Sequence, residues 1–131
     1  MPNGKPVESW TLRTEIQTRL QQAVDAWNTR NIEEFMSFYL VSEFTTLVTS
    51  EEMIFGYQNI REFYAKRGFG EGFLSICVND VLSIGDDYAY AIAQSLTQVD
   101  GREIHQNHSF LMQRARTLKK YEWFVFKDHS A

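Results

Sequence analysis

The sequence predicts an α+β domain in which N-terminal helices pack on one face of a curved, mainly antiparallel sheet. Three observations carry that expectation. Apolar residues near the start of the chain recur at helical spacing, those from Phe73 onward alternate, and Asp100-Gly101 stands midway along the longest alternating stretch. Helices first and a meander of strands afterwards leave the sheet one face to bury and the helices one stripe to cover it.

Ile16, Leu20, Ala23, Val24 and Trp27 form one stripe of a 3.6-residue period, with polar Gln, Arg and Thr on the other side. Asn31 followed by Glu34 resembles a capping box opening a short second helix, whose face is Phe35, Met36 and Tyr39. The β-branched run from Phe44 to Thr49 reads as a strand, with another from Met53 to Phe55. Gly56 interrupts, and Ile60, Phe63 and Tyr64 mark a third helix ending near Gly68. Gly68, Gly70 and Gly72 follow that helix without the spacing of a phosphate-binding loop, so a connector or pocket lid is expected. Leu74, Ile76, Val78, Leu82 and Ile84 alternate up to a turn at Gly85-Asp86-Asp87. A last strand runs from Tyr121 to about Asp128.

Between these lies the hairpin from Tyr88 to Gln113. Asp-Gly favours a two-residue type I′ turn, because both central residues need φ > 0. Ala93 then faces His108, Ala91 faces Phe110 and Ser95 faces Gln106. One face carries Ala89, Ala91, Ala93, Ser95, His108, Phe110 and Met112. The other carries Tyr88, Tyr90, Ile92, Leu96, His105, Asn107 and Leu111. A face paved with alanines is a concavity for a packed helix or a small ligand. The tyrosine face is too apolar for a solvated surface and suggests a second subunit.

Composition narrows the function. A chain of 131 residues with 44% hydrophobic and 15% aromatic content can bury a core as one domain, residues 1–131, and is not disordered. A net charge of −4 provides no footprint for nucleic acid or anionic lipid. Arg114, Arg116, Lys119 and Lys120 flank a turn and read as a solvated strand end. No apolar run reaches membrane-spanning length, and Met1 to Glu8 has no apolar targeting core. A lone cysteine, Cys77, forms no intrachain disulfide and is expected as a small buried hydrophobe. A soluble, cytoplasmic protein follows as the expectation.

The ionisable groups are few. Asp80 is the single charge on the face Leu74, Ile76, Val78, Leu82, Ile84; if the turn pairs Ile84 with Asp87, it lies opposite Ala91 and close to His108. There it reads as a general base or acid, or, with the register slipped by one, as a solvated Asp at a bulge. His108 is either a hydrogen-bonded core histidine or a proton-transfer group. His105 points the other way, so His105 and His108 cannot clamp one metal, and no metal site is expected. Trp27, Tyr39, Phe63 and Tyr64 face inward from the helices and read first as core packing; Trp27 and Tyr39 each carry a donor that can also orient a ligand in an apolar pocket. Asp128-His129 reads as a solvated terminus rather than a dyad, and Ser130 lacks the context of a nucleophile.

Particular residues in this order resemble the nuclear transport factor 2-like superfamily, especially its SnoaL-like and ketosteroid-isomerase-like branch. They are Ala26-Trp27-Asn28 with Arg30-Asn31 closing the first helix, Phe38-Tyr39 ending the second, and Gly56 with Ile60 starting the third. Gly85-Asp86-Asp87-Tyr88-Ala89 opens a central strand, and Trp123 and Val125 lead to Asp128-His129-Ser130. The resemblance covers about residues 10 to 130. It departs at Ala131, where family members often carry a serine-like residue. It implies a cone-shaped cystatin-like α+β fold with an internal pocket and a homodimer through the outer sheet face. It also implies a small apolar ligand and, if there is catalysis, cofactor-free isomerisation, cyclisation or dehydration by proton transfer. A non-catalytic binding or association module has the same fold. Asp80 and His108 are the expected catalytic pair. Trp27, Tyr39, Phe63, Ala91, Ala93, Phe110 and Met112 are the expected substrate contacts.

Overall fold

The computed structural model describes residues 4–118 and 120–131, with side chains from Thr11 onward; Met1 to Asn3 and Lys119 lie outside the described residues. Helix α1 spans Gly4–Asn28, α2 Ile32–Met36 and α3 Tyr57–Lys66. The strands are β1 Thr46–Val48, β2 Met53–Phe55, β3 Phe73–Ile84, β4 Tyr88–Val99, β5 Arg102–Arg116 and β6 Tyr121–Ser130. They form one six-stranded sheet in the order β2-β1-β6-β5-β4-β3, antiparallel except where β1 runs parallel to β6. The sheet is strongly curled and not closed. The expected α+β architecture is the one present. None of the described helices is long and apolar enough to cross a membrane.

The Asp100-Gly101 turn takes the predicted form, with φ of 52° and 75°. β4 and β5 pair from Tyr88↔Gln113 to Val99↔Arg102 in the expected register. Ala89, Ala91 and Ala93 are fully buried on the inner face, and Tyr88, Tyr90 and Ile92 are exposed on the outer one. α2 is capped as predicted: the Glu34 amide donates to Asn31 Oδ1 at 3.1 Å.

The core joins Ile16, Leu20, Ala23 and Ala26 of α1 to Val78, Ala89, Ala91, Ala93, Phe110 and Met112 of the sheet. Ile16 has no exposed surface, and burying a side chain of that size stabilises by about 1.5–3 kcal/mol. β3 is an edge strand, and such edges leave backbone groups unpaired. Side chains of α1 satisfy them. Asn28 donates to the Leu74 carbonyl and accepts from its amide, both at 2.8 Å. Gln17 Oε1 accepts from the Val78 amide at 2.8 Å, and Arg13 donates to the Val78 carbonyl at 3.2 Å. These bonds fix the helix along β3.

Two single-residue bulges alter the expected facing. Val78 pairs with Ala93 but Asp80 with Ile92, so Asn79 is an extra residue in β3. The turn before β4 also holds three residues, with Ile84 opposite Tyr88. Asp80, Leu82 and Ile84 therefore face outward, and Val81 takes the inward place opposite Ala91. In β6, Val125 pairs with Met112 but Lys127 with Leu111, leaving Phe126 extra. Trp123 and Val125 are buried, and beyond the bulge the buried set becomes Asp128 and Ser130. Cys77 is exposed on β3, correcting its expected burial: it alternates with the inward Ile76 and Val78.

Candidate functional site

A cavity of about 340 Å³ lies between the inner sheet face and the three helices. Its inner end is aromatic. Trp27 meets Phe35 at 5.6 Å and Tyr64 at 6.1 Å between ring centroids, edge to face, and Phe35 meets Tyr64 at 5.0 Å. Phe69, carried by the glycine-rich connector, packs on Trp27 at 4.9 Å. Such edge-to-face clusters hold rings in place, each pair adding about 0.5–1.5 kcal/mol beyond area burial. The mouth is polar, lined by Thr49, Ser50, Glu51 and Glu52 between β1 and β2, with Arg67 at the end of α3. Arg67 and Glu52 form an ion pair across it at 3.5 Å.

One wall carries a chain of hydrogen bonds. Asp128 is 5% exposed on β6 and accepts from Tyr39 Oη at 3.1 Å. Its other oxygen is 3.5 Å from His108 Nδ1. His108 Nε2 lies 2.7 Å from Ser95 Oγ, and Tyr64 Oη is 3.0 Å from Tyr39 Oη. An ionised carboxylate only accepts, so the Tyr39 proton points at Asp128 and the Tyr64 hydroxyl donates to Tyr39. By the same reasoning the His108 Nδ1 proton faces Asp128. In the neutral ring Nε2 is then free to accept from Ser95. His108 stacks on Phe110 at 5.3 Å with 7° between planes, which holds the ring in that orientation.

Local structure explains how these groups meet. Beyond α2 the chain runs parallel to β6: the Leu40 amide donates to the Val125 carbonyl and the Val125 amide to the Phe38 carbonyl. Tyr39, between them, is thereby aimed at β6. The Phe126 bulge turns Asp128 inward to receive it. Burial pushes the Tyr39 phenol well above its usual range, and the neighbouring Tyr64 and Asp128 add to that. Burial likewise raises Tyr64, with Asp128 contributing. Both phenols are protonated donors at neutral pH.

Of the residues expected at a site, Trp27, Tyr39, Phe63, His108 and Phe110 line the cavity. Ala91, Ala93 and Met112 do not; they are fully buried in the core, where the small side chains admit packed neighbours and leave no free surface. Asp80 is absent from the cavity. The bulge at Asn79 turns it outward, where its Oδ1 accepts from the Val81 amide at 3.0 Å. Asp128 replaces it as the carboxylate beside His108. The expectation of a solvated Asp128-His129 end is corrected in part: Asp128 and Ser130 are buried, and His129 between them is exposed. Among the described residues no three His, Cys, Asp or Glu side chains are grouped as metal ligands would be.

The sequence matches no protein-family model and no curated protein. Solved structures are similar in fold. A nuclear transport factor 2-like protein of unknown function from Shewanella oneidensis is 16% identical with a TM-score of 0.79, over 89% of this chain and 96% of that one. A ketosteroid isomerase-like protein from Erwinia carotovora atroseptica is 15% identical with a TM-score of 0.70, over 90% of this chain and 93% of that one. A domain of unknown function with a cystatin-like fold from Nostoc punctiforme is 17% identical with a TM-score of 0.70, over 90% and 75% respectively. The chain has the nuclear transport factor 2-like, cystatin-like fold.

Proposed function

We propose that this chain is a single, homodimeric domain that encloses a small, mostly apolar molecule and transfers a proton on it without a cofactor. The observation that carries the proposal is Asp128, buried in the cavity wall with His108 Nδ1 on one oxygen and Tyr39 Oη on the other. A cavity of about 340 Å³ falls in the range of small-molecule sites, roughly 300–1,000 Å³. Its aromatic end suits a flat or cyclic apolar body, and its polar wall suits one carbonyl oxygen. His108 acts as the base through Nε2 once the Ser95 hydroxyl turns aside for the substrate. Asp128 holds the ring tautomer and stabilises the imidazolium that forms. Tyr64, a protonated phenol lining the cavity, turns its proton from Tyr39 Oη to the enolate oxygen and stabilises it, while Tyr39 stays the donor that holds Asp128. Trp27 and Phe63 hold the apolar body. The reaction class is isomerisation, cyclisation or dehydration next to a carbonyl.

The test needs no knowledge of the natural substrate. A panel of small cyclic ketones is incubated with the protein in D₂O, and deuterium uptake next to the carbonyl is followed by NMR. Exchange is expected with the native chain and should fall roughly a hundredfold or more in His108→Gln, the usual contribution of a positioned base. Ketones that bind by calorimetry yet exchange equally fast with His108→Gln would leave a binding module without chemistry.

That second reading has its own support in the outer sheet face, where Leu82, Ile84, Tyr88, Tyr90 and Ile92 are all exposed. A contiguous apolar patch of this kind suits association between copies of the chain, whether or not the cavity is catalytic. Light scattering at micromolar concentration should return twice the chain mass, and a monomer there rules the interface out. The lone Cys77 and the acidic balance suit a cytoplasmic location away from nucleic acid and membrane.

A further inference from the structure

Ser95, His108 and Asp128 stand in the order of nucleophile, base and orienting acid, each at the atom such a relay needs. Ser95 Oγ is 2.7 Å from His108 Nε2, and His108 Nδ1 is 3.5 Å from Asp128 Oδ1. The outer member is buried in the wall, and all three line the cavity. We infer that Ser95 is an acyl-accepting nucleophile and that the cavity hydrolyses small, apolar carboxylic esters. This activity is distinct from proton transfer next to a carbonyl, which needs His108 and Asp128 but forms no bond to Ser95.

The chemistry balances with water as the co-reactant. Ser95 Oγ adds to the ester carbonyl carbon while its proton passes to His108 Nε2. The tetrahedral intermediate collapses with cleavage of the carbonyl-carbon to alkoxy-oxygen bond. The leaving alkoxide takes the proton from Nε2, and the acyl group stays on Ser95. Water, deprotonated by His108, then attacks the acyl carbon. The carboxylic acid departs and Ser95 recovers its proton. Donors for the oxyanion come from the same sheet face: Gln106 is the cross-strand partner of Ser95, Thr97 lies two residues on, and both line the cavity. Asp128 keeps the Nδ1 proton on the far side of the ring, so that Nε2 presents its lone pair to the serine. The mutual geometry of nucleophile to base and base to orienting group is the criterion by which such sites are recognised on unrelated folds.

The experiment uses a small dialkyl fluorophosphate with the full-length protein near pH 8. Serine displaces fluoride from phosphorus, forming a stable phosphoester read by intact mass and peptide mapping. The expected result is one phosphoryl group per chain on the peptide containing Ser95, with labelling slowed roughly a hundredfold or more in His108→Gln. Absence of label, or label confined to another residue, overturns the assignment. Labelling of Ser95 at equal rates in the native chain and His108→Gln also overturns it, since the base would then be idle. Ser95→Cys provides a second arm. Its thiol should alkylate with iodoacetamide faster when His108 is present than in the Ser95→Cys, His108→Gln double variant, and equal rates would again remove the relay. Both arms read a bond at position 95 and not deuterium uptake, so this assignment and the proton-transfer reading can fail separately.

Discussion

Replacing Asp128 by Asn tests the centre of the site, because the outcome depends on where one proton sits. Asn offers an oxygen and an NH₂ group in place of two accepting oxygens. Tyr39, 3.1 Å away, keeps the oxygen as its acceptor, so the NH₂ faces His108 Nδ1. Two N–H groups cannot point at each other, and the ring, held by its stack on Phe110, responds by moving its proton to Nε2. Ser95 Oγ can accept that proton at 2.7 Å, so the wall stays hydrogen-bonded. The Tyr39 bond changes from charge-assisted to neutral, a loss of about 1 kcal/mol. The His108 contact, at 3.5 Å, is longer than an ordinary bond and contributes only a few tenths. Removing a buried charge offsets part of this. The net cost is about 1 kcal/mol, a fall of roughly 3–5 °C in Tm for a domain of this size. Activity responds much more, because Nε2 now carries a proton where a base needs a lone pair. Deuterium uptake should fall by roughly 10²–10⁴. The assays are thermal denaturation, ¹⁵N NMR of the ring nitrogens and the exchange reaction. If the ring proton stays on Nδ1 in Asp128→Asn, the tautomer argument is wrong. If it moves and exchange stays within about twofold, His108 is not the base.

Three further outcomes follow from the same geometry. The Tyr39 and Tyr64 phenols are raised in the folded chain above the ordinary 10.0 that they have when unfolded. Their stabilisation is therefore complete below about pH 10 and is lost as pH rises further, at up to about 1.4 kcal/mol per pH unit for each phenol. Urea titrations between about pH 9 and 11.5 should give Tyr39→Phe a shallower alkaline slope by about one proton, and identical slopes contradict the burial argument. Gly72 has φ +71°, and a Cβ there would lie 2.6 Å from the Gln98 carbonyl oxygen and 2.9 Å from Val99 Cβ. Gly72→Ala should cost about 2–3 kcal/mol by denaturant titration, against about 1 for Gly85→Ala, whose added Cβ meets nothing. Asp80→Asn should leave stability within about 0.5 kcal/mol and exchange unchanged, because the side chain bonds only its neighbour's amide outside the cavity. A lost exchange activity would put the carboxylate back in the mechanism.

Much of the fold was legible in the residues. The stripe from Ile16 to Trp27, the Asn31-Glu34 cap and the Asp100-Gly101 turn are local signals, and each states a geometry that tertiary contacts had no cause to override. His108 on the cavity side followed from that turn and the alanine pattern together: counting outward from a two-residue loop sets every partner on β4 and β5, and the alanines mark the inward face. Part of the aromatic end was legible too, since Trp27 and Phe63 fall on inward helical positions; Tyr39 lies past the end of α2 and reaches the cavity through its bridge to Val125.

The carboxylate was not legible, and one physical event explains both errors. Alternation predicts facing only while a strand is unbroken, and a single extra residue reverses it. Asn79 does this in β3 and carries Asp80 out; Phe126 does it in β6 and carries Asp128 in. Neither residue is a glycine or a proline; a bulge beside Asp80 is one of the two readings the residues leave open, and Phe126 carries no local sign of one. Counting from Trp123 and Val125 by twos places Lys127 and His129 inward, the reverse of what is found. Local propensity and periodicity thus determined the elements, the hairpin register and the imidazole. Which acid stands beside that imidazole was decided by pairing between distant strands and by Tyr39 arriving across from β6. Those contacts exist only once the sheet has assembled.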